Sequence, residues 1–242
     1  MAQTVESLKS PRRFYSGVDV APTAEGFAVR LDGRVARTPA GRVLAAPTRA
    51  LANIIAGEWK AQAEVIALAS MRVTSLAYAA IDEAPEGRQG MVDEIVAFAG
   101  NDLICYFASA PASLLERQQS SWNPLIDWAD AELSLEFTAV SGVIHKDQPA
   151  ATVRAIESMA RDLDNFRLAG LFHAARLFGS TILGLALMRA RLSAATAAAA
   201  AQLDEMFQAD QWGVDEGAGA RRRAVAVEAA MLQDWFEALG QP

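Results

Sequence analysis

Two textures of apolar patterning divide the chain. Between Arg12 and Ala46 the large apolar residues come in short runs broken by turn formers. Phe27-Ala28-Val29-Arg30-Leu31 alternates large apolar residues with smaller or polar ones, the period of a strand with one buried face. Asp32-Gly33 follows directly. Both central residues of a type I′ turn need positive φ, so this dipeptide predicts a hairpin with Val35 opening the return strand. Pro39-Ala40-Gly41 predicts a second turn before Val43-Leu44, and Arg12 to Val20 supplies a further strand. After Pro47 the period lengthens. Leu51, Ile54, Ile55 and Trp59 recur at three- and four-residue spacing, predicting a helix from about Thr48 to Ala63 that closes one side of the sheet. A shorter helix is predicted over Val73 to Ile81. The run Glu83-Ala84-Pro85-Glu86-Gly87 then breaks the pattern and marks the expected domain boundary.

Beyond it the helical period dominates. Met91, Val92, Ile95, Val96 and Ala99 form one stripe. Ser113-Leu114-Leu115-Glu116 has the form of a capping box, and the helix it opens is expected to bend or restart at Pro124. Leu133 to Ile144 reads as extended or irregular. Further helices are expected at 149–164, 167–191, 193–210 and 217–239. The expected fold is α+β: a small N-terminal antiparallel sheet with packed helices over residues 1–85, then a mostly helical domain over residues 86–242.

Composition narrows the function classes. Hydrophobic residues make up 52% of the 242, which excludes a disordered chain, and a net charge of −7 argues against a general nucleic-acid binder. The apolar run Leu177 to Met188 is twelve residues long. A spanning helix needs roughly twenty, so no membrane insertion is expected. Gly179 and Gly184 within it fit close packing of a buried helix. Met1 to Ser10 lacks the apolar core of a secretory signal, and the lone Cys105 has no disulfide partner. A soluble protein of a reducing compartment is the expectation.

Catalytic chemistry is thinly represented. His145 and His173 are the two histidines, and neither has a neighbour at zinc-ligand spacing. His173 follows Leu171-Phe172 and reads as an interior histidine. Cys105 lies in Leu103-Ile104-Cys105-Tyr106-Phe107, an apolar setting that raises a thiol pKa. No phosphate loop or nucleophile elbow occurs, and the glycine-rich Gly213 to Gly219 contains Asp215 and Glu216, which repel phosphate. No catalytic, cofactor or metal residue is therefore assigned, and no small-molecule substrate is expected. An enzyme using Cys105 and a histidine stays open as an alternative, as does a helical adaptor with some other protein client.

Tryptophans beside carboxylates stand out: Glu58-Trp59, Trp122 with Asp127-Trp128, Trp212 with Asp215-Glu216, and Asp234-Trp235. Tryptophan serves both as a core anchor, the first reading for most of these, and as an interface hot spot. Arg221-Arg222-Arg223 reads most simply as a solvated helix face, the alternative being a pairing with acidic groups on this chain or a partner.

A succession of short blocks adds a family resemblance. Arg13-Phe14-Tyr15, Val29-x-Leu31-Asp32-Gly33-Arg34, Thr38-Pro39-x-Gly41, Pro47, Leu51-Ala52 and Glu58-Trp59-x-x-Gln62 come first. Met71-x-x-Thr74-x-Leu76, Ile81-Asp82, Asp102-Leu103-x-Cys105-Tyr106, Trp122-x-Pro124-Leu125-x-Asp127-Trp128 and Trp212-Gly213 follow in order. Together they resemble the F1-ATPase assembly chaperones that bind the alpha subunit. The resemblance implies a non-enzymatic chaperone whose partner is the unassembled F1 alpha subunit, held soluble until beta subunits displace it. It also implies a small α+β domain followed by a helical one. A bacterial cytoplasmic location is implied, or the mitochondrial matrix for a processed eukaryotic member. Partner contacts carried over from it are Glu58, Trp59, Trp212, Asp215 and Glu216. Trp59 has helix-to-sheet packing as its first reading.

Overall fold

A computed structural model describes residues 11–142, 146–213 and 216–240, with the backbone alone at Glu216. The fold is α+β, a small antiparallel sheet near the start and helices thereafter. The described residues up to Asp82 form one compact unit and those from Glu83 onward a second.

In the first unit the central strand β2 (Gly26–Leu31) pairs along its length with β1 (Val18–Thr23). On its other side β2 pairs with β3 (Arg34–Val35) at one end and β4 (Ala45–Ala46) at the other. The β2–β3 turn carries Asp32 at φ 48° and Gly33 at φ 78°, the positive values a type I′ turn demands. Asp32 does more than turn. Its carboxylate accepts hydrogen bonds from the Ser16 and Gly17 amides and the Ser16 hydroxyl, which holds its pKa below the usual carboxylate range. Arg12 to Gly17, read as strand, instead runs as an arm with one isolated bridge, Arg12 to Val65.

Helix α1 (Arg49–Lys60) is capped by the Thr48 hydroxyl, which accepts from the Leu51 amide. It lays Leu51, Ala52, Ile55 and Trp59 against β1 and β2, so the predicted stripe is buried except for Ile54, which is half-buried. Helix α2 (Arg72–Tyr78) has no side-chain cap from its own N-cap residue, Met71. Glu58 of α1 supplies it from outside. Its carboxylate accepts from the Val73 amide at 2.9 Å and from the Thr74 amide and hydroxyl at 2.7 Å each. These are orphan donors of the first turn, and the negative charge complements the positive end of the helix. Glu58→Ala is expected to lower the stability of this unit by about 2 kcal/mol, seen as a lower denaturation midpoint with an unchanged slope.

A π-helical segment (Ala79–Glu83) follows α2, and α3 (Ala84–Gly100) begins directly after it. The Glu83-to-Gly87 run does not interrupt the helical backbone. Pro85 sits in the first turn of α3, where a missing N–H costs nothing.

The second unit continues with α4 (Ala112–Leu133), α5 (Ala150–Asp162), α6 (Asn165–Phe178), α7 (Thr181–Met188), α8 (Ala194–Ala201), α9 (Leu203–Trp212) and α10 (Glu216–Leu239). Short parallel strands β5 (Tyr106–Phe107) and β6 (Val140–Ser141) pair beside them. Two local expectations are corrected. Helix α4 starts at Ala112 after Pro111, so Ser113 lies inside its first turn and forms no capping box. Of the bend or restart expected at Pro124, the restart does not occur, since the same helix runs through it. The predicted 167–191 helix is two helices, because Gly179 adopts φ 65° and Ser180 caps α7 through a hydrogen bond from the Leu183 amide. Gly184 does serve close packing: a Cβ there would stand 3.1 Å from Leu171 and 3.3 Å from Ala174. All eight residues of α7 are buried, which makes it the core of this unit. Among the described residues no helix is long and apolar enough to cross a membrane.

Candidate protein-interaction site

Burial separates the five tryptophans. Trp59, Trp122, Trp128 and Trp235 are buried, whereas Trp212 is 79% exposed. Trp122 donates its indole N–H to the Ala200 carbonyl at 3.0 Å, and Trp235 donates to the Phe166 carbonyl at 3.1 Å while stacking on the Phe166 ring. Both are core anchors with satisfied donors. Trp212 ends α9, and Gly213 follows it at φ 90°. The break leaves the indole without a helical turn beyond it to pack against.

Trp212 borders an open cleft of about 270 Å3, which it lines with Glu205, Gln208 and Ala209 of α9 and Ala218, Arg221 and Arg222 of α10. Arg221 is exposed and Arg222 half-buried, and neither makes an ion pair among the described residues. The cleft thus sets one exposed aromatic beside polar groups of both signs, and in protein interfaces a few aromatics carry most of the energy inside a wet rim. The arginine run was legible as a solvated face or a partner for acidic groups; its place beside Trp212 comes from the packing of α9 and α10. Asp215 lies outside the described residues, as does the side chain of Glu216, whose backbone opens α10.

Glu58, expected as a partner contact, has its carboxylate held at the start of α2 by the Val73 and Thr74 amides. Trp59 is 6% exposed, its ring packs with that of Tyr15 at 5.7 Å, and its carbonyl accepts from the Tyr15 hydroxyl at 2.7 Å.

Cys105 is buried, and burial together with the nearby Asp102 carboxylate pushes its thiol far above the ordinary range. Such a thiol is not a nucleophile at neutral pH. His173 is half-exposed, with Nε2 3.3 Å from a Glu228 carboxylate oxygen, rather than interior. His145 lies outside the described residues. Among the described residues no group of three or more His, Cys, Asp or Glu side chains is placed to hold a metal ion.

Comparison with known proteins places these features in a family. The family pattern described as ATP12 chaperone protein matches residues 12–130. The crystal structure of Atp12 from Paracoccus denitrificans matches with a TM-score of 0.89 at 37% identity, covering 93% of this chain and 97% of that one. The chain belongs to the ATP12 chaperone family. The Atu1473 protein of Agrobacterium tumefaciens is 40% identical with a TM-score of 0.88, over 95% of this chain and 86% of that one. Mitochondrial atp12 of Schizosaccharomyces pombe is 25% identical over 219 residues, 86% of this chain and 75% of the relative. The ATP12 family pattern ends at residue 130, before α9 and α10, while the Paracoccus likeness runs through nearly the whole chain. The Trp212 cleft therefore lies beyond the part that the family pattern matches.

Proposed function

We propose that this protein is a chaperone of ATP synthase assembly that binds the unassembled F1 alpha subunit and keeps it soluble until beta subunits take its place. Membership of a chaperone family supports the general role. The ordered blocks from Arg13 to Gly213 support the choice of client. The observation that carries the reading is the solvent-exposed Trp212, whose ring has no aromatic or cationic partner among the described residues, set in a cleft bordered by Glu205, Arg221 and Arg222.

An alpha subunit outside its hexamer exposes apolar surface that drives aggregation. Covering it reversibly calls for an interface of roughly 1,200–2,000 Å2 with few anchors. No catalysis is needed if beta competes for the same surface, and the inert Cys105 removes the nucleophile that an enzymatic reading would use. Asp215 and Glu216, next to Trp212-Gly213 in sequence, are proposed as the acidic contacts to a basic patch of the client. The cytoplasm of a bacterium is the proposed location, or the mitochondrial matrix in a eukaryote.

A tagged protein is expected to recover F1 alpha in stoichiometric amount from cells lacking beta, and to release it when excess beta is added. Trp212→Ala is expected to weaken alpha binding about 10- to 100-fold, the range of a hot spot, and Glu216→Lys to weaken it as well. Melting temperatures should stay within about 2 °C of wild type. No enrichment of alpha would overturn the choice of client. A stable complex of alpha, beta and chaperone at saturating beta would overturn competition.

A further inference from the structure

The first unit carries a second apolar opening. A cleft of about 590 Å3 is lined by Phe14, Tyr15, Leu31, Arg34, Val35 and Trp59, among others. Phe14 is 72% exposed although its ring meets that of Tyr15 edge-on at 5.3 Å, and Val35 is 38% exposed. These are large apolar surfaces left open beside a buried aromatic floor. Trp59 forms part of that floor, and its indole nitrogen is the one buried side-chain donor without an acceptor among the described residues. The indoles of Trp122 and Trp235 show what such a donor normally finds, a backbone carbonyl. A buried donor left unpaired is costly, and the residue that carries it lines the cleft.

The rim has a sign. Arg34 is exposed and makes no ion pair among the described residues, while Arg37 spends its guanidinium on the Gly41 carbonyl at 2.7 Å. The carboxylate that lines the same cleft, Asp32, is turned to the Ser16 and Gly17 amides. Strand β3, which carries Arg34 and Val35, is an edge strand with no further strand beside it among the described residues. A short open edge next to apolar pockets is a place where an extended segment adds to a sheet.

We propose that this cleft binds an extended segment of the client in which a large apolar side chain is followed or preceded by an acidic residue. The segment lies along β3, and its apolar side chain packs between Phe14, Val35 and Trp59. A carbonyl oxygen of the segment accepts the Trp59 indole N–H, and its carboxylate pairs with Arg34. This rests on the reading that the client is the F1 alpha subunit, and it adds a second contact, in a different unit from Trp212.

The test measures binding of isolated F1 alpha to the full chain carrying Phe14→Asp, Arg34→Glu or Trp59→Phe, with Trp212→Ala alongside. Phe14→Asp and Arg34→Glu are each expected to weaken binding about tenfold, and Trp59→Phe about fivefold because it removes one hydrogen bond and keeps a ring. Arg34→Lys should recover most of the affinity lost in Arg34→Glu. Melting temperatures of the Phe14 and Arg34 variants, both changed at exposed positions, should match wild type. Wild-type affinity in all three cleft variants, with Trp212→Ala still weakened, would overturn the cleft and leave the client intact. No binding of alpha to the wild-type chain would overturn both. A wild-type dimer dispersed by Phe14→Asp in sedimentation would assign the cleft to self-association and overturn the proposal.

Discussion

Asp102→Ala is expected to destabilise the helical unit by about 4 kcal/mol near pH 5 and by much less near pH 8. Asp102 is fully buried and ties the short 3-10 turn Leu103–Cys105 to the start of α7. One carboxylate oxygen accepts from the Ile104 amide at 3.3 Å and the other from the Ile182 amide at 3.0 Å. The Ser180 hydroxyl and Thr181 amide add further hydrogen bonds. Alanine would strand those donors inside the protein and leave a void beside the most buried helix of the fold.

The pH dependence follows from the carboxyl group itself. Burial raises its pKa from 3.8 to about 7, and the hydrogen bonds only partly offset that desolvation. Between those values the folded chain holds a proton that the unfolded chain has released. Stability contributed by Asp102 is therefore greatest on the acid side and falls as pH rises through the window, by about 3 kcal/mol from pH 5 to 8. Asp102→Asn keeps the shape and cannot ionise. The difference in unfolding free energy between wild type and Asp102→Asn should slope with pH over this range, which cancels the titration of other groups. A flat difference would show that the buried carboxyl stays ionised throughout.

What could be read from the chain beforehand was whatever local spacing encodes. Asp32-Gly33 declares its hairpin because only a few residues accept two positive φ values in succession. The α1 stripe and the Thr48 cap are likewise within one helical turn of each other. The exposed tryptophan was legible too, in a way that adjacent carboxylates obscured. Trp59 has Ile55 four residues back, and Trp235 has Met231, Leu232 and Leu239 in register, whereas Trp212 has Gln208 and Ala209 behind it and glycine after it. An indole without apolar neighbours at helical spacing has nothing on its own helix to pack with.

Long-range partnerships were not legible. Glu58 caps a helix that starts fourteen residues later, and nothing in its own neighbourhood marks it out. Asp102 looked like part of a family block, since burial of a carboxyl depends on α7 folding back upon it from position 181. The break at Gly179-Ser180 was hidden because apolar residues flank it on both sides and keep the helical period. The false capping box at Ser113 has the opposite origin. A correct local pattern was overridden when the chain entered the helix at Ala112.

The second large effect falls on Trp59, where two substitutions should part company. Trp59→Arg is expected to destabilise the first unit by about 5 kcal/mol, and Trp59→Phe by no more than about 1.5 kcal/mol. The indole is packed with the Tyr15 ring at 5.7 Å on the buried face of α1. Arginine gives up most of the area that a tryptophan buries and brings a charge that has to be paired or returned to water. Its stem could carry the guanidinium out through the cleft, which would lower the charge penalty and not restore the lost packing. Phenylalanine keeps a ring in the same place. It also removes an N–H that has no acceptor among the described residues, so no hydrogen bond seen there is lost, unlike the same change at Trp122 or Trp235. Urea unfolding of the three phenylalanine variants would show this as a smaller loss at position 59 than at 122 or 235. Equal stability of wild type and Trp59→Arg would overturn the packing role. A large loss in Trp59→Phe would mean that the indole nitrogen has a partner in the folded chain, and the cleft would then lose the donor that a client segment is proposed to use.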